Sequence, residues 1–110
     1  MPDKKKLPAE KRAKRPRDSS QTDDFVKDWE RLERSGKHDM HRLKEAMLLL
    51  IANDAPLPPE WKDHSLSGQF KNYRECHIKG DLLLMYEIRI KHGNEAIAFL
   101  RAGTHSELFR

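Results

Sequence analysis

The stretch YRECHIKGDLLLMYEIRIKHGNEAIAFLR, from Tyr73 to Arg101, decides the fold. Three runs rich in aliphatic, β-branched and aromatic residues, Tyr73–Ile78, Leu82–Ile90 and Glu95–Arg101, are separated by Lys79-Gly80 and by His92-Gly93-Asn94. Residues of those separating types make turns, and connections this short join strands into an antiparallel meander. Side chains alternate across a strand, so Tyr73, Glu75 and His77 share one face while Arg74, Cys76 and Ile78 share the other. The apolar Cys76 and Ile78 belong against a core, which turns His77 toward the open side. In the last run Ala96, Ala98 and Leu100 alternate with Ile97, Phe99 and Arg101.

Upstream, the apolar period lengthens to that of a helix. Phe25, Trp29 and Leu32 recur at i, i+4 and i+7, with Asp23 or Asp24 available as N-cap and Gly36 as terminator. A second amphipathic segment starts near Asp39, buries Leu43, Met47, Leu50 and Ile51, and stops at Asn53. The turn Ser35-Gly36-Lys37-His38 between them predicts an antiparallel helical hairpin. Pro56, Pro58 and Pro59 then forbid regular structure, and Trp61 anchors the loop. A short polar strand within Arg15–Thr22 would lie at a sheet edge. The expected fold class is α+β: an N-terminal helical hairpin packed on one face of a small antiparallel β-sheet, the other face open.

A chain of 110 residues supports one domain with one modest core. Charge is unevenly spread. Residues 1–17 carry eight basic side chains against Asp3 and Glu10, whereas the rest carries fourteen basic and sixteen acidic groups. The expected organisation is therefore a basic flexible extension over 1–17 and a folded domain over 18–110. Such a tail can reach phosphates in a salt-dependent way. The longest apolar run, Ala46 to Ala52, is too short for a bilayer, and no secretory signal is evident. One cysteine, Cys76, excludes an internal disulfide and fits a reducing cytoplasm.

Six histidines is a high count for this length. His64, His77 and His105, with Asp81 across a tight turn from His77, fall where strand ends converge at one edge of the open face. Imidazole titrates near neutrality, so this grouping points to proton transfer or to metal binding. Singly, each residue has an ordinary structural reading: Asp81 as a turn residue, Arg74 as a salt-bridge partner, Phe109 as a plug for the C-terminus.

The ordered set is more specific. Pro56-Leu57-Pro58-Pro59, Lys62-Asp63-His64-Ser65-Leu66, Tyr73-Arg74-Glu75-Cys76-His77-Ile78, Asp81-Leu82-Leu83-Leu84-Met85-Tyr86 and Arg101-Ala102-Gly103-Thr104-His105-Ser106-Glu107-Leu108-Phe109 follow one another at short spacings. This series closely resembles the YafQ branch of the RelE/ParE toxin superfamily, the toxin half of bacterial type II toxin–antitoxin pairs, over roughly Asp24 to Phe109. The resemblance implies a RelE-like microbial ribonuclease-type fold. It implies a cytoplasmic mRNA endoribonuclease that acts on the translating ribosome and is silenced by a cognate antitoxin, with operator DNA bound only as a complex with that antitoxin. By motif position the functional residues fall on His64, His77, Asp81, His105 and Phe109. The chain departs from the branch pattern at Lys79-Gly80 before Asp81, at Leu82 where an aromatic is frequent, and at Asn72 where glycine is.

Such a site needs no cofactor and no metal. The RNA 2′-hydroxyl attacks its own 3′ phosphate, one group removes its proton and another protonates the departing 5′ oxygen, each transfer contributing roughly 10²–10⁴-fold. The expected roles are His64 as base, His105 as acid, and Asp81 orienting His77. Arg74, Lys62 and Arg101 are the candidate phosphate contacts, and Phe109 the candidate base-stacking residue. Two rivals remain at this point: a metal-dependent hydrolase built on the same His/Asp set, and a non-catalytic ribosome- or DNA-binding protein of the same fold.

Overall fold

The computed structural model describes residues 15–109. Most of the basic extension expected over 1–17 thus lies outside the described residues. Its last part is tied down: the Arg17 amide donates to Ile51 O, its guanidinium to Leu50 O and Glu95, and Asn53 Nδ2 donates to Arg15 O.

The elements in chain order are β1 (Asp18–Gln21), α1 (Asp23–Ser35), α2 (Met40–Ala52), β2 (His64–Ser65), β3 (Arg74–Lys79), β4 (Leu82–Lys91), β5 (Asn94–Thr104) and α3 (His105–Leu108). The α+β class holds. Five strands form one sheet in the order β1-β5-β4-β3-β2. β2 through β5 pair antiparallel, but β1 runs parallel to β5, Asp18 opposite Ala96 and Gln21 opposite Phe99. The sheet is therefore mixed, not wholly antiparallel as expected. A parallel pair needs a long crossover, and both helices and three strands lie between these partners. The β4–β5 turn is tighter than expected: Lys91 pairs Asn94, and His92 (φ 53°) and Gly93 (φ 79°) both take the left-handed backbone of a type I′ hairpin.

The helices obey their caps. Thr22, not Asp23 or Asp24, caps α1: its hydroxyl oxygen accepts from the Phe25 amide and its O–H donates to Leu100 O at 2.8 Å, which ties the helix start to β5. Asp23 and Asp24 sit in the first turn, where the helix dipole favours negative charge. Asp39 caps α2, and Asn53 ends it in the left-handed region. α1 packs over β5 and α2 over β3.

One core fills the space between helices and sheet. It joins Phe25 and Leu32 of α1, Leu43, Ala46, Met47 and Leu50 of α2, Trp61, Cys76 and Ile78 of β3, and Leu84, Tyr86, Ile97 and Phe99 of the central strands. Burying each large apolar side chain there contributes about 1.5–3 kcal/mol. The opposite face is not fully open, contrary to expectation. Met85, Ala98 and Leu100 form a second apolar cluster covered by Leu66, Tyr73 and Phe109. The chain folds over that face between β2 and β3.

A β-bulge also interrupts the alternation read for the last strand. Tyr86 pairs Phe99 but Met85 pairs Arg101, leaving Leu100 as the extra residue. Past the bulge Ala102 enters the core, and β5 continues to Thr104. His105 therefore follows the strand directly, instead of four residues after its end.

Candidate active site

β2 is two residues long, and His64 stands opposite Glu75 in its ladder with β3. Lys62 (φ 51°) turns the chain so that its own carbonyl meets His64 Nδ1 at 2.7 Å. A carbonyl oxygen only accepts, so Nδ1 carries the hydrogen and the neutral ring keeps its lone pair on Nε2. That Nε2 lies 3.4 Å from Glu75 Oε1, and His77 Nε2 lies 3.9 Å from the same oxygen. The two ring centroids are 6.0 Å apart. Glu75 is buried (5% exposed) while both rings reach solvent. A shielded carboxylate beside two accessible imidazoles can pair with His64 once its Nε2 has taken a proton, while His77 at 3.9 Å lies beyond hydrogen-bond distance.

A second polar group holds the loop that carries His64. The Tyr86 hydroxyl donates to Asp63 Oδ1 at 2.5 Å. Arg74 completes the group: Nε donates to the Tyr86 oxygen (3.3 Å), Nη1 to Ser65 Oγ (2.8 Å), and Nη2 lies 3.4 Å from Asp63 Oδ2. Burial, with the Asp63 carboxylate alongside, drives the Tyr86 phenol well above its ordinary pKa, so it remains a proton donor. Arg74, expected at a phosphate, is here the clasp between β3 and the residues flanking His64.

His105 belongs to a third group. It is the first residue of α3, and its ring centroid is 4.9 Å from that of Phe109, which meets Phe70 edge-on at 5.6 Å. Across the sheet His77 pairs Leu83, and Leu83 pairs Gly103. Two strand spacings, roughly 10 Å, thus separate the His77 backbone from the strand that delivers His105. All three histidines occupy one end of the sheet, but as a His64–Glu75–His77 cluster and a His105–Phe109 pair.

Two further expected residues sit differently. Asp81 is exposed in the Gly80-Asp81 turn, and among the described residues its side chain has no hydrogen bond or ion pair. The expected Asp81–His77 contact is absent because the turn carries Asp81 past the strand, and Glu75 takes that place. Arg101 is spent on Asp28, with Nε at 2.7 Å from Oδ2. Lys62 is exposed and lines an open cleft of about 510 Å³ with Arg42, Lys79, His77, Asp39 and Glu60. Glu75, Asp63 and Tyr86 were missed as site residues. For Glu75 the signal was present, since it shares the His77 face two residues away.

Residues 17–110 match the family described as the bacterial toxin of type II toxin–antitoxin systems, YafQ. The chain belongs to the YafQ toxin family. It is 40% identical over 93 residues to the mRNA interferase toxin YafQ of Escherichia coli (strain B / BL21-DE3), covering 84% of this chain and 96% of that one. The fold matches the toxin in the E. coli DinJ-YafQ complex with a TM-score of 0.73 and 39% identity, over 86% of this chain and 99% of the other. It also matches a metal-bound toxin from Helicobacter pylori, with a TM-score of 0.71 and 40% identity over 84% and 98%. The YafQ-type resemblance read from the ordered motifs is thereby borne out.

Proposed function

We propose that this YafQ-family toxin is a ribosome-dependent endoribonuclease that cuts translated mRNA by acid–base chemistry. The observation that carries the reading is the His64–Glu75–His77 cluster at the same sheet end as His105 and Phe109. Its E. coli relative bears the name mRNA interferase toxin. His64 takes the 2′-hydroxyl proton on Nε2, the nitrogen left free by the bond from Nδ1 to Lys62 O. His105 gives a proton to the 5′ oxygen, and Phe109 stacks on a base. Lys62, which lines the open cleft beside His77, contacts a neighbouring phosphate. Arg74 and Asp81 contribute from farther out, Arg74 by holding the His64 loop and Asp81 by facing the ribosome.

A short antitoxin is the expected partner, as DinJ is for the E. coli toxin, with operator DNA reached only through that complex. The cytoplasm is the expected compartment; among the described residues no helix is long and apolar enough to cross a membrane. The two helices are taken to pair as an antiparallel hairpin, supported by the cleft that Phe25, Val26 and Trp29 share with Lys44 and Met47. The test of the nuclease reading is cleavage of mRNA on purified ribosomes, mapped by primer extension. His64→Ala and His105→Ala should each abolish it and the growth arrest; full toxicity in both variants would sink the assignment.

A second reading concerns metal. His64, Glu75 and His77 offer three ligand atoms within 4.8 Å of one another, a two-imidazole, one-carboxylate set that leaves coordination positions open. A divalent ion held there would supply Lewis acidity. It would also occupy the lone pair assigned to the base, so the two readings predict opposite responses. Toxin treated with EDTA and freed of it before assay on ribosomes that keep their magnesium stays as active or more active if it is the acid–base enzyme, and is silent until a transition-metal ion is restored if it is metal-dependent.

A further inference from the structure

Four residues cannot hold a helix by themselves, yet α3 delivers both His105 and Phe109 to the site. Part of what fixes it is local. Thr104 and Glu107 form a capping box, the Glu107 amide bonding Thr104 Oγ1 and Glu107 Oε1 accepting from the Thr104 amide at 2.8 Å. The rest comes from α1, which contributes no residue to the reacting set. Asp28 there is 2% exposed, and four N–H groups converge on its carboxylate. Arg101 Nε (2.7 Å) and Nη2 (3.2 Å) reach it from β5 just past the bulge, the Ala102 amide reaches it at 3.0 Å, and Arg31 Nη1 at 2.7 Å. Arg31 then extends Nη2 to Ala102 O and to Glu107 Oε1, each at 3.3 Å. A continuous chain of charge-assisted bonds runs from α1 through the end of β5 into the first turn of α3.

Gly103 records independently how closely the backbone is threaded through this clamp. A Cβ on it would lie 2.8 Å from Glu107 Oε1, 3.1 Å from Arg31 Nη2 and 3.3 Å from Leu108 Cδ2. No other residue type fits without displacing the clamp.

We propose that Asp28 is a positioning residue for RNA cleavage: acting through Arg101, Arg31 and Glu107, it sets where α3 presents His105 and Phe109. The inference rests on the nuclease reading above. Buried ion networks of this kind also serve stability alone, so the test must separate the two roles.

Cleavage of ribosome-bound mRNA is measured for Asp28→Asn and for Arg31→Gln, and the ring signals of His64, His77, His105 and Phe109 are followed by NMR in the same proteins. Arg31 is at the surface edge of the network, so Arg31→Gln keeps the test alive if Asp28→Asn fails to fold. Each variant lowers kcat, Asp28→Asn by about 10²-fold, with KM nearly unchanged, because a displaced reacting group is lost from the transition state and not from binding. Both variants shift and broaden the His105 and Phe109 ring signals and leave those of His64 and His77 in place. Lost activity with the His105 signal unmoved, or full activity in a folded Asp28→Asn protein, overturns the proposal. If the unmodified toxin does not cut mRNA at all, the nuclease reading fails separately, and an unmoved His105 signal still overturns the positioning role.

Discussion

Glu75 stands across the β2–β3 ladder from His64, its Oε1 3.4 Å from the Nε2 of that ring. The same oxygen is 3.9 Å from His77. One buried carboxylate therefore stands beside two imidazoles, in the place where Asp81 was expected. Glu75→Gln keeps the size and one acceptor but removes the charge. It should lower mRNA cleavage by about 10²-fold, the weight of one proton-transfer partner, while circular dichroism shows an unchanged fold. Asp81→Asn, with no partner to lose among the described residues, should leave the in-chain geometry intact and act only on ribosome affinity.

Tyr86 is fully buried and its hydroxyl has two partners, Asp63 and Arg74. Tyr86→Phe strips that hydroxyl and leaves Asp63 short of a donor. The expected cost is about 1–3 kcal/mol in chemical denaturation. Cleavage should fall as well, since Asp63 precedes His64 directly and its loop loses a clasp.

Acid should unfold this protein partly through α1 and α3. Burial alone would raise the Asp28 pKa, but bonds from Arg101, Arg31 and the Ala102 amide outweigh it and hold the carboxyl below its ordinary 3.8. The Thr104 amide, with Arg31, likewise holds Glu107 below 4.5. Groups depressed in the folded state stabilise it fully above their unfolded values, and that stability is lost as pH falls through the folded ones. Thermal midpoints should thus drop steeply from roughly pH 5 downward. The double variant Asp28→Asn/Glu107→Gln should start from a lower midpoint and show a shallower acid limb. An equally steep limb would remove these two carboxyls from the explanation.

Cys76 is completely buried, and burial foremost, with Asp63 and Glu75 adding to it, pushes its thiol up to about 12. Thiolate is the reactive form. Iodoacetamide at pH 8 should leave native Cys76 unmodified and label it only in denaturant, as mass spectrometry would register.

How much of this was legible in the sequence follows from what each inference needed. Period alone placed Phe25, Leu32, Leu43 and Leu50 inside, and alternation turned His77 away from Cys76 and Ile78, because burial imposes those patterns directly. β1 lacks such a pattern: Asp18–Gln21 is exposed throughout, so nothing in its residues announces a partner, still less a parallel one. The bulge at Leu100 was equally hidden. Just past it Asp28 bonds Arg101 and the Ala102 amide, a contact across 73 and 74 positions that no local window contains. Glu75 was visible as a neighbour of His77 on one face, but its claim on His64 depended on the β2 register. The ion pairs of Arg74 and Arg101 were hidden too. Each has a carboxylate of the same chain beside it, Asp63 and Asp28, and the second pairing spans 73 positions.

The parallel pairing of β1 with β5 has a consequence for the order of folding. The Thr22 hydroxyl bonds Leu100 O across 78 positions, whereas the β3–β4–β5 meander closes through two-residue turns. Contacts between distant segments incur their loop-closure entropy before they return any stability. The meander can therefore assemble early, while β1 and the start of α1 must wait for β5 to exist before they have anywhere to dock. During synthesis the first-made strand is thus the last to be seated. Until then β5 presents a bare edge, and the Asp28 bonds to Arg101 and the Ala102 amide at its far end wait on the same docking.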